Sequence, residues 1–127
     1  FLPKSKDLAD YILKAVAAMG WREFADALEQ GFTAQGYSVK RLDGPADFAL
    51  LREGRTTLVA AKRWKAARVG EEMLQTLHAA RTAQDASACQ YVTLGEPSAN
   101  ALRFAKQHNV QLVQADALAL LLKKLPL

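Results

Sequence analysis

Residues 45–68, PADFALLREGRTTLVAAKRWKAAR, predict a β-hairpin that runs into a basic segment. Phe48–Leu51 and Thr56–Ala61 are apolar and partly β-branched, as strands require. Between them, Glu53 and Gly54 can form a two-residue turn, because glycine readily adopts the positive φ that such turns need. Both faces of this hairpin are apolar, so we expect it in the middle of a sheet.

The turn also sets the register of the hairpin. Arg52 then pairs with Arg55 and Asp47 with Ala60, and paired residues point to the same face of a sheet. Residues two apart on one strand share a face too, so Asp47 and Lys62 converge across a diagonal of roughly 7–8 Å. A buried carboxylate and amine need a partner or a ligand. The two residues therefore form either a structural ion pair or part of a site, and a one-residue slip in register would separate them.

Length and composition indicate one domain with a substantial core. The chain has 127 residues, half of them hydrophobic, and a net charge of +4 with a pI near 9.4. This mild basicity permits an anionic partner without requiring one. The single cysteine, Cys89, lies in an apolar run, which predicts a buried residue, excludes an internal disulfide and suits a reducing, cytoplasmic location.

The sequence does not indicate zinc or a membrane as partners. His78 and His108 lie far apart with no cysteine pair, so there is no zinc signature. No apolar run approaches the roughly 20 residues of a membrane span. We therefore expect no zinc and no membrane contact within this segment, while the start at Phe1 leaves an anchor or a domain upstream open.

Hydrophobic periodicity predicts five helices and five strands. In chain order these are a helix from Ser5 to Gly20, a helix from Trp21 to Gly36, strands at residues 37–42, 48–51 and 56–61, a helix at 70–85, a strand at 88–94, a helix opened by residues 95–98 with Pro97 near its first turn, a strand at 110–113 and a helix from Asp116 to Leu122. Antiparallel strands come first and α/β crossovers follow. This order predicts an α/β fold with a mixed β-sheet, an antiparallel hairpin plus parallel strands, and helices on both faces. We assign residues 1–20 to an added helix or linker and residues 21–127 to the main domain.

The densest basic cluster of the chain surrounds one tryptophan after the second hairpin strand. It consists of Lys62, Arg63, Lys65 and Arg68, with Trp64 among them. Clusters of cations and aromatic rings suit nucleic-acid backbones and bases. They also occur in solvated loops whose aromatic residue is tucked into the core, and the sequence leaves both interpretations open.

The order of elements, with an aspartate at one hairpin strand and a lysine at the end of the next, resembles the PD-(D/E)xK nuclease fold. Within that fold the chain is similar to the Mrr-type catalytic domain of type IV restriction endonucleases, and more distantly to Holliday-junction resolvases. The resemblance covers about residues 21–122. The matching segments are Phe24 with the helix exit at Gly36-Tyr37, residues 47–50, residues 58–65, Val69-Gly70, residues 91–93, Ser98 with Ala101 and Ala105, and residues 110–113.

This resemblance implies metal-dependent hydrolysis of DNA phosphodiester bonds. By position, Asp47 would be a ligand of Mg²⁺ or Mn²⁺, the backbone carbonyl of Ala61 would be a further ligand, and Lys62 would be the catalytic lysine. A bound ion of this kind generates the nucleophile and stabilises charge on phosphate oxygens. The implied partner is DNA, and a homodimer is also allowed. The side chains expected to contact DNA are Arg63, Trp64, Lys65, Arg68 and Gln75.

Two positions depart from the pattern of such nucleases. The residue two before the lysine, where relatives have an acid or glutamine, is Ala60, and the glutamate that many relatives carry after the first-helix phenylalanine is Ala25. Mg²⁺ can bind through one or two carboxylates plus waters and phosphates, so Asp47 could suffice. The acids that could substitute are Glu29, Asp26 and Asp43, and we take Glu29, one helical turn from Ala25, as the candidate catalytic residue.

Three functions remain open at this stage. The first is a Mg²⁺-dependent DNA endonuclease of Mrr type, with a site that the two alanines weaken. The second is a nuclease-fold domain that binds DNA through its basic segment without cleaving it, which predicts salt-sensitive binding. The third is a protein-interaction module that retains only the fold.

Overall fold

The structure is a computed structural model that describes the backbone of residues 5–127 and the side chains of residues 7–127. Its helices are α1 (Ser5–Ala18), α2 (Trp21–Ala34), α3 (Glu71–Ala83), α4 (Ala99–Gln107) and α5 (Ala115–Leu122). Its strands are β1 (Ser38–Arg41), β2 (Phe48–Arg52), β3 (Arg55–Ala60), β4 (Arg68–Val69), β5 (Ala88–Val92), β6 (Glu96–Pro97) and β7 (Val110–Val113). Every predicted helix and strand is therefore present, with ends shifted by a few residues.

Five strands form one mixed sheet in the order β1-β2-β3-β5-β7. Strands β1, β2 and β3 are antiparallel neighbours, whereas β5 pairs parallel with β3, and β7 pairs parallel with β5. The β2–β3 hairpin lies inside this sheet, because its apolar side chains need burial on both faces. The predicted fold class, with its antiparallel hairpin and parallel strands, is confirmed.

Each face of the sheet is covered by its own hydrophobic cluster. Successive side chains of a strand point to opposite faces. Along β2, Phe48 and Leu50 therefore belong to a cluster with α1, α2 and α5, and Ala49 belongs to a second cluster with α3 and α4. Cys89 is buried in this second cluster, as predicted.

The hairpin turn has the geometry that the sequence predicts. Glu53 and Gly54 both have positive φ, 53° and 76°, which is the combination of a type I′ turn. Arg52 lies opposite Arg55, and the same register continues to the start of β2. The turn thereby fixes which residues meet at the other end of the hairpin, where β2 begins and β3 ends.

The sequence does not predict the second sheet, in which β4 and β6 pair in parallel. The prediction for Pro97 is wrong, because this residue lies in β6 and the helix begins after Ser98. The Ser98 hydroxyl accepts a hydrogen bond from the N–H of Ala101, 3.0 Å, and so caps α4. A Cβ added at Gly95 would lie 2.1 Å from the carbonyl oxygen of Ala66, so the close approach beside β6 needs a glycine.

Helix α1 contributes to the core, although the sequence suggests an added element. Ile12 and Val16 are buried in the cluster that covers one face of the sheet, and α1 packs against α5. The proposed division between residues 1–20 and 21–127 stays a prediction. None of the helices described for residues 5–127 is long and apolar enough to cross a membrane.

Candidate functional site

Asp47 lies one residue before β2, and its carboxylate is buried, with 5% exposed. Its backbone N–H donates to the carbonyl of Val59, 2.7 Å, which is already the partner of Phe48. The paired register therefore ends at Phe48, and the predicted pairing of Asp47 with Ala60 is wrong, although the side chains of Asp47 and Lys62 still converge. Its side-chain Oδ2 accepts hydrogen bonds from the backbone N–H groups of Ala61, 2.7 Å, and Lys62, 2.9 Å. One carboxylate oxygen therefore fixes the chain as it leaves β3.

Lys62 follows β3 and carries the amine that meets this carboxylate. Its Nζ lies 3.5 Å from Asp47 Oδ1, which confirms that the two side chains converge. The lysine side chain is 54% exposed, and its Nζ lies 5.8 Å from the ring centroid of Trp21. Because ion pairs with a solvated partner are weak, the ammonium can turn from Asp47 toward an anion that arrives from solvent.

Asp47 and Lys62 line a cavity of about 280 Å³. Residues before β2, at and after the end of β3, in β5 and on α3 form its walls. The lining residues are Gly44, Pro45, Asp47, Ala60, Ala61, Lys62, Arg63, Met73, Thr76 and Tyr91. The lining contains one acid and two cations, Lys62 and Arg63, so its net charge favours an anionic ligand.

Tyr91 is a cavity residue to which the sequence assigns no role. The parallel register of β3 and β5 places it beside Ala60, and its hydroxyl lies 3.1 Å from Sδ of Met73. Burial raises the pKa of Tyr91, with Arg63 opposing this effect and Asp47 adding to it. The hydroxyl therefore stays neutral, and only a known parallel register could have assigned Tyr91 to the cavity.

Glu29 and Asp26, two of the proposed substitutes for the missing acid, do not line the cavity. Both bind Arg41 of β1, whose Nε lies 2.6 Å from Glu29 Oε1 and whose Nη2 lies 2.7 Å from Asp26 Oδ1. These hydrogen bonds raise the pKa of the Arg41 guanidinium. We call these three residues the Arg41 cluster. Asp43 is exposed and also lies outside the cavity lining, so the structure brings Asp47 and Lys62 together without a second acid.

Trp64 is a core residue, which corrects its assignment as a DNA contact. Its ring is buried, stacks on Phe24 with centroids 4.5 Å apart, and donates a hydrogen bond from Nε1 to the carbonyl of Val16, 3.3 Å. A ring held in this way cannot stack on a base. The cations beside it therefore sit in a loop whose aromatic residue is tucked into the core.

The other predicted DNA contacts lie at or near the cavity to different degrees. Arg63 lines the cavity, whereas Lys65 and Arg68 are exposed but are not among the lining residues. Gln75 is exposed on α3, and the same helix contributes Met73 and Thr76 to the cavity. The roles proposed for these exposed side chains remain predictions.

Oxygen donors are few around Lys62. Asp47 supplies the carboxylate of the lining, and the carbonyl of Ala61 accepts the N–H of Trp64, 3.1 Å, which leaves one lone pair. Ala60 places a methyl group in the lining where the nuclease pattern has an acid or glutamine. Within residues 5–127, no group of three or more His, Cys, Asp and Glu side chains is placed to hold a metal ion.

Two solved structures resemble this fold. One is the MspJI restriction endonuclease in complex with a 27-mer oligonucleotide, with a TM-score of 0.59 and 20% identity over 96% of this chain and 32% of that one. The other is the protein of unknown function AF1548, with a TM-score of 0.55 and 14% identity over 72% of this chain and 64% of that one. The chain thus spans about a third of MspJI and less than two thirds of AF1548. At these identities the likeness shows the fold alone.

The sequence itself matches one family model over most of its length. No curated protein matches the chain. The model of the Mrr catalytic domain, described as a restriction endonuclease, matches residues 16–122 and so begins within α1. The chain therefore belongs to the Mrr-type restriction endonuclease family, and its fold is that of a nuclease-type domain.

Proposed function

We propose that this domain hydrolyses phosphodiester bonds of DNA at the Asp47–Lys62 cavity, in a reaction that depends on Mg²⁺ or Mn²⁺. The observation that carries the proposal is the 3.5 Å approach of Lys62 Nζ to Asp47 Oδ1 in the cavity lining. These are the positions at which the nuclease pattern has its aspartate and its lysine. Support for a DNA substrate comes from the family and from the oligonucleotide bound to MspJI.

The residues present fit a divalent ion that arrives with DNA better than one that the protein holds alone. Asp47 Oδ1 and the carbonyl oxygen of Ala61 would be its protein ligands. Mg²⁺ keeps several waters and is usually bound through one or two carboxylates plus substrate phosphates. When bound, the ion would supply Lewis-acid charge and an activated water.

The chain's own residues would bind and orient the phosphate. Because two backbone N–H groups hold Oδ2 of Asp47, its carboxylate keeps a fixed direction at the cavity. The exposed ammonium of Lys62 can exchange Asp47 for a phosphate oxygen in a charge-assisted hydrogen bond. Arg63 adds a second positive charge to the lining.

A second candidate function is DNA binding without hydrolysis. The observation that favours it is the methyl group of Ala60 in the cavity lining, together with the binding of Glu29 and Asp26 by Arg41 outside that lining. With one acid remaining, the net positive lining would still attract a phosphate. Binding of this kind would persist without any divalent ion and would weaken as salt is added.

Cleavage of supercoiled plasmid with Mg²⁺ or Mn²⁺ tests the first function. We expect the native chain to nick the plasmid, Asp47→Asn and Lys62→Ala to lose this activity, and Glu29→Gln to keep it. Asparagine preserves an oxygen for the N–H groups of Ala61 and Lys62, so its effect would not reflect lost folding. Cleavage that persists in both cavity variants would contradict the proposal.

A gain of function tests the second candidate. The variant Ala60→Glu returns an acid to the position two residues before Lys62, beside Asp47. If the native chain binds duplex DNA in EDTA but does not cut it when Mg²⁺ or Mn²⁺ is supplied, and Ala60→Glu does cut it with the same ion, the native domain is a binding module with a lost ligand. An absence of both binding and cutting would leave the interaction module as the remaining function.

A further inference from the structure

Two arginines meet at the turn end of the β2–β3 hairpin. Arg52 ends β2, Arg55 begins β3, and the two are direct partners in the hairpin register, so their side chains point to the same face of the sheet. Both arginines are exposed, and no Asp or Glu of residues 7–127 forms an ion pair with either of them. Like charges in directly opposed positions destabilise a strand pair. An anion bound by both arginines would therefore relieve their repulsion.

The two arginines line a pocket of about 540 Å³, which is within the range of small-molecule sites. Its other lining residues are Tyr37, Glu53, Thr57, Ser87 and Ala88. We call it the Arg52–Arg55 pocket. Its lining combines two guanidinium groups with the hydroxyls of a tyrosine, a threonine and a serine, and contains one carboxylate. The pocket is thus rich in hydrogen-bond donors and has a net positive charge.

Contacts with the end of α2 hold the side chain of Arg52 in place. Its Nη1 donates to the carbonyl of Gln35, the residue that caps the C-terminus of α2, 3.0 Å, and its Cζ lies 4.1 Å from the ring centroid of Tyr37. A guanidinium has five N–H donors, and this hydrogen bond uses one of them. The remaining donors are therefore held in position before a ligand arrives, which lowers the entropic cost of binding it.

The Arg52–Arg55 pocket is separate from the Asp47–Lys62 cavity. Five residues of chain separate Asp47 from Arg52, or roughly 17 Å at the rise of a strand. Arg52 alternates with Phe48 and Leu50 and so lies on their face of the sheet, whereas Ala60 of the cavity belongs to the cluster on the other face. The two sets of lining residues share no member.

We propose that the Arg52–Arg55 pocket binds a phosphate monoester. The planar fork of a guanidinium matches the oxygens of a phosphate group and binds them in pairs. A phosphate monoester carries close to two negative charges near neutral pH, which two arginines balance, whereas a phosphodiester carries one. The hydroxyls of the lining add neutral donors for the remaining oxygens. The inference does not depend on the proposed function of the Asp47–Lys62 cavity.

Titration of the chain with inorganic phosphate, followed by the NMR signals of its backbone amides, tests this proposal. We expect the amides of Arg55, Thr57 and Ser87 to shift, with half-saturation at about 1 mM. Arg55→Gln should raise this concentration at least about tenfold, because one of the two guanidinium groups is lost. The matched control is Arg103→Gln on α4, which removes an exposed arginine outside the pocket lining and should leave half-saturation unchanged.

Further titrations separate the pocket from the cavity and identify the source of the monoester. The shifts should persist in Lys62→Ala, because Lys62 does not line the Arg52–Arg55 pocket. Adenosine monophosphate should shift the same amides if the monoester is a free molecule, and a DNA duplex with phosphorylated ends should do so if the monoester is a DNA terminus.

Four results would overturn the proposal. They are an absence of shifts up to about 50 mM phosphate, an equal effect of Arg103→Gln, a loss of the shifts in Lys62→Ala, and the same shifts with a duplex whose ends carry no phosphate. The last result would mean that the pocket binds phosphodiesters. DNA cleavage measured on the same variants would report separately on the Asp47–Lys62 cavity.

Discussion

Two clusters of charged side chains in this domain differ in burial, and the difference decides what each can do. In the Arg41 cluster the distances from the guanidinium to Glu29 and Asp26 are 2.6 and 2.7 Å, yet all three side chains are between 42% and 59% exposed. At the Asp47–Lys62 cavity the ion pair is longer, 3.5 Å, but the carboxylate is buried and accepts two backbone hydrogen bonds. A short distance between exposed charges contributes little free energy, whereas a buried carboxylate must be satisfied.

The comparison also shows which of these acidic residues can act in a functional site. Asp47 is held by the backbone, so its second oxygen remains directed at the cavity whether or not Lys62 stays in contact. Glu29 and Asp26 both bind Arg41, and neither of them lines the cavity. Asp47 is therefore the single buried acid that supplies a carboxylate to the cavity.

The largest loss of stability is expected for a substitution of Trp64, which packs in the core two residues after Lys62. Its backbone N–H donates to the carbonyl of Ala61, and its ring stacks on Phe24. Trp64→Ala should lower the free energy of unfolding by about 3–5 kcal/mol, because the core loses a large buried side chain. Urea unfolding measures this, and a change below about 1 kcal/mol would mean that Trp64 is a surface residue.

Asp47→Ala should have the next largest effect on stability. The N–H groups of Ala61 and Lys62 would lose their acceptor, which we expect to lower the free energy of unfolding by about 2–4 kcal/mol. Asp26→Ala is the matched control, since it removes an exposed acid with a shorter ion pair. Urea unfolding measures the free energy of unfolding of both variants. Equal losses of this free energy in the two variants would refute the distinction between the clusters.

Arg41→Ala should have a small effect on stability. All three side chains of the Arg41 cluster are partly exposed to solvent, so we expect a loss of no more than about 1 kcal/mol. The difference from the native chain should shrink further in high salt, because screening weakens exposed pairs. Thermal unfolding at low and high ionic strength measures both quantities, and a larger loss that ignores salt would contradict this account.

His78 and its neighbours Arg81 and His108 should give the stability of the domain a modest dependence on pH. Burial lowers the pKa of His78, and the electrostatic effects of Arg81 and then of the neighbouring His108 lower it further. The unfolded chain takes up this proton near the ordinary pKa of about 6.5, whereas the folded chain takes it up at lower pH. The unfolded state therefore binds more protons within that window, so stability should fall as the pH drops below about 6.5. His78→Gln should reduce this slope in unfolding measured from pH 7.5 to 5.5, and an unchanged slope would contradict the assignment.

The hairpin and its consequences could be predicted from the sequence because they depend on local features. Glu53-Gly54 specifies a turn, the turn specifies the register, and the register brings Asp47 and Lys62 together. Apolar residues on both faces likewise place the hairpin inside the sheet. Each of these steps uses contacts between residues near one another in the chain or directly paired.

The remaining features depend on contacts between distant segments. The parallel register that places Tyr91 beside Ala60 cannot be derived from either strand alone. The position of Glu29 depends on Arg41, which reaches it from a separate strand. The burial of Trp64 depends on Phe24 and on the carbonyl of Val16, so the sequence could only leave its two interpretations open.

The affinity of duplex DNA as a function of salt, measured in EDTA, tests the central claim most directly. The claim is that the Asp47–Lys62 cavity, and not positive charge in general, meets the DNA backbone. Lys62→Ala should weaken binding and reduce the slope of log affinity against log salt by about 1. Lys40→Ala, which removes an exposed lysine from β1, should leave the slope unchanged. Equal changes in the two variants, or no change in Lys62→Ala, would contradict the account.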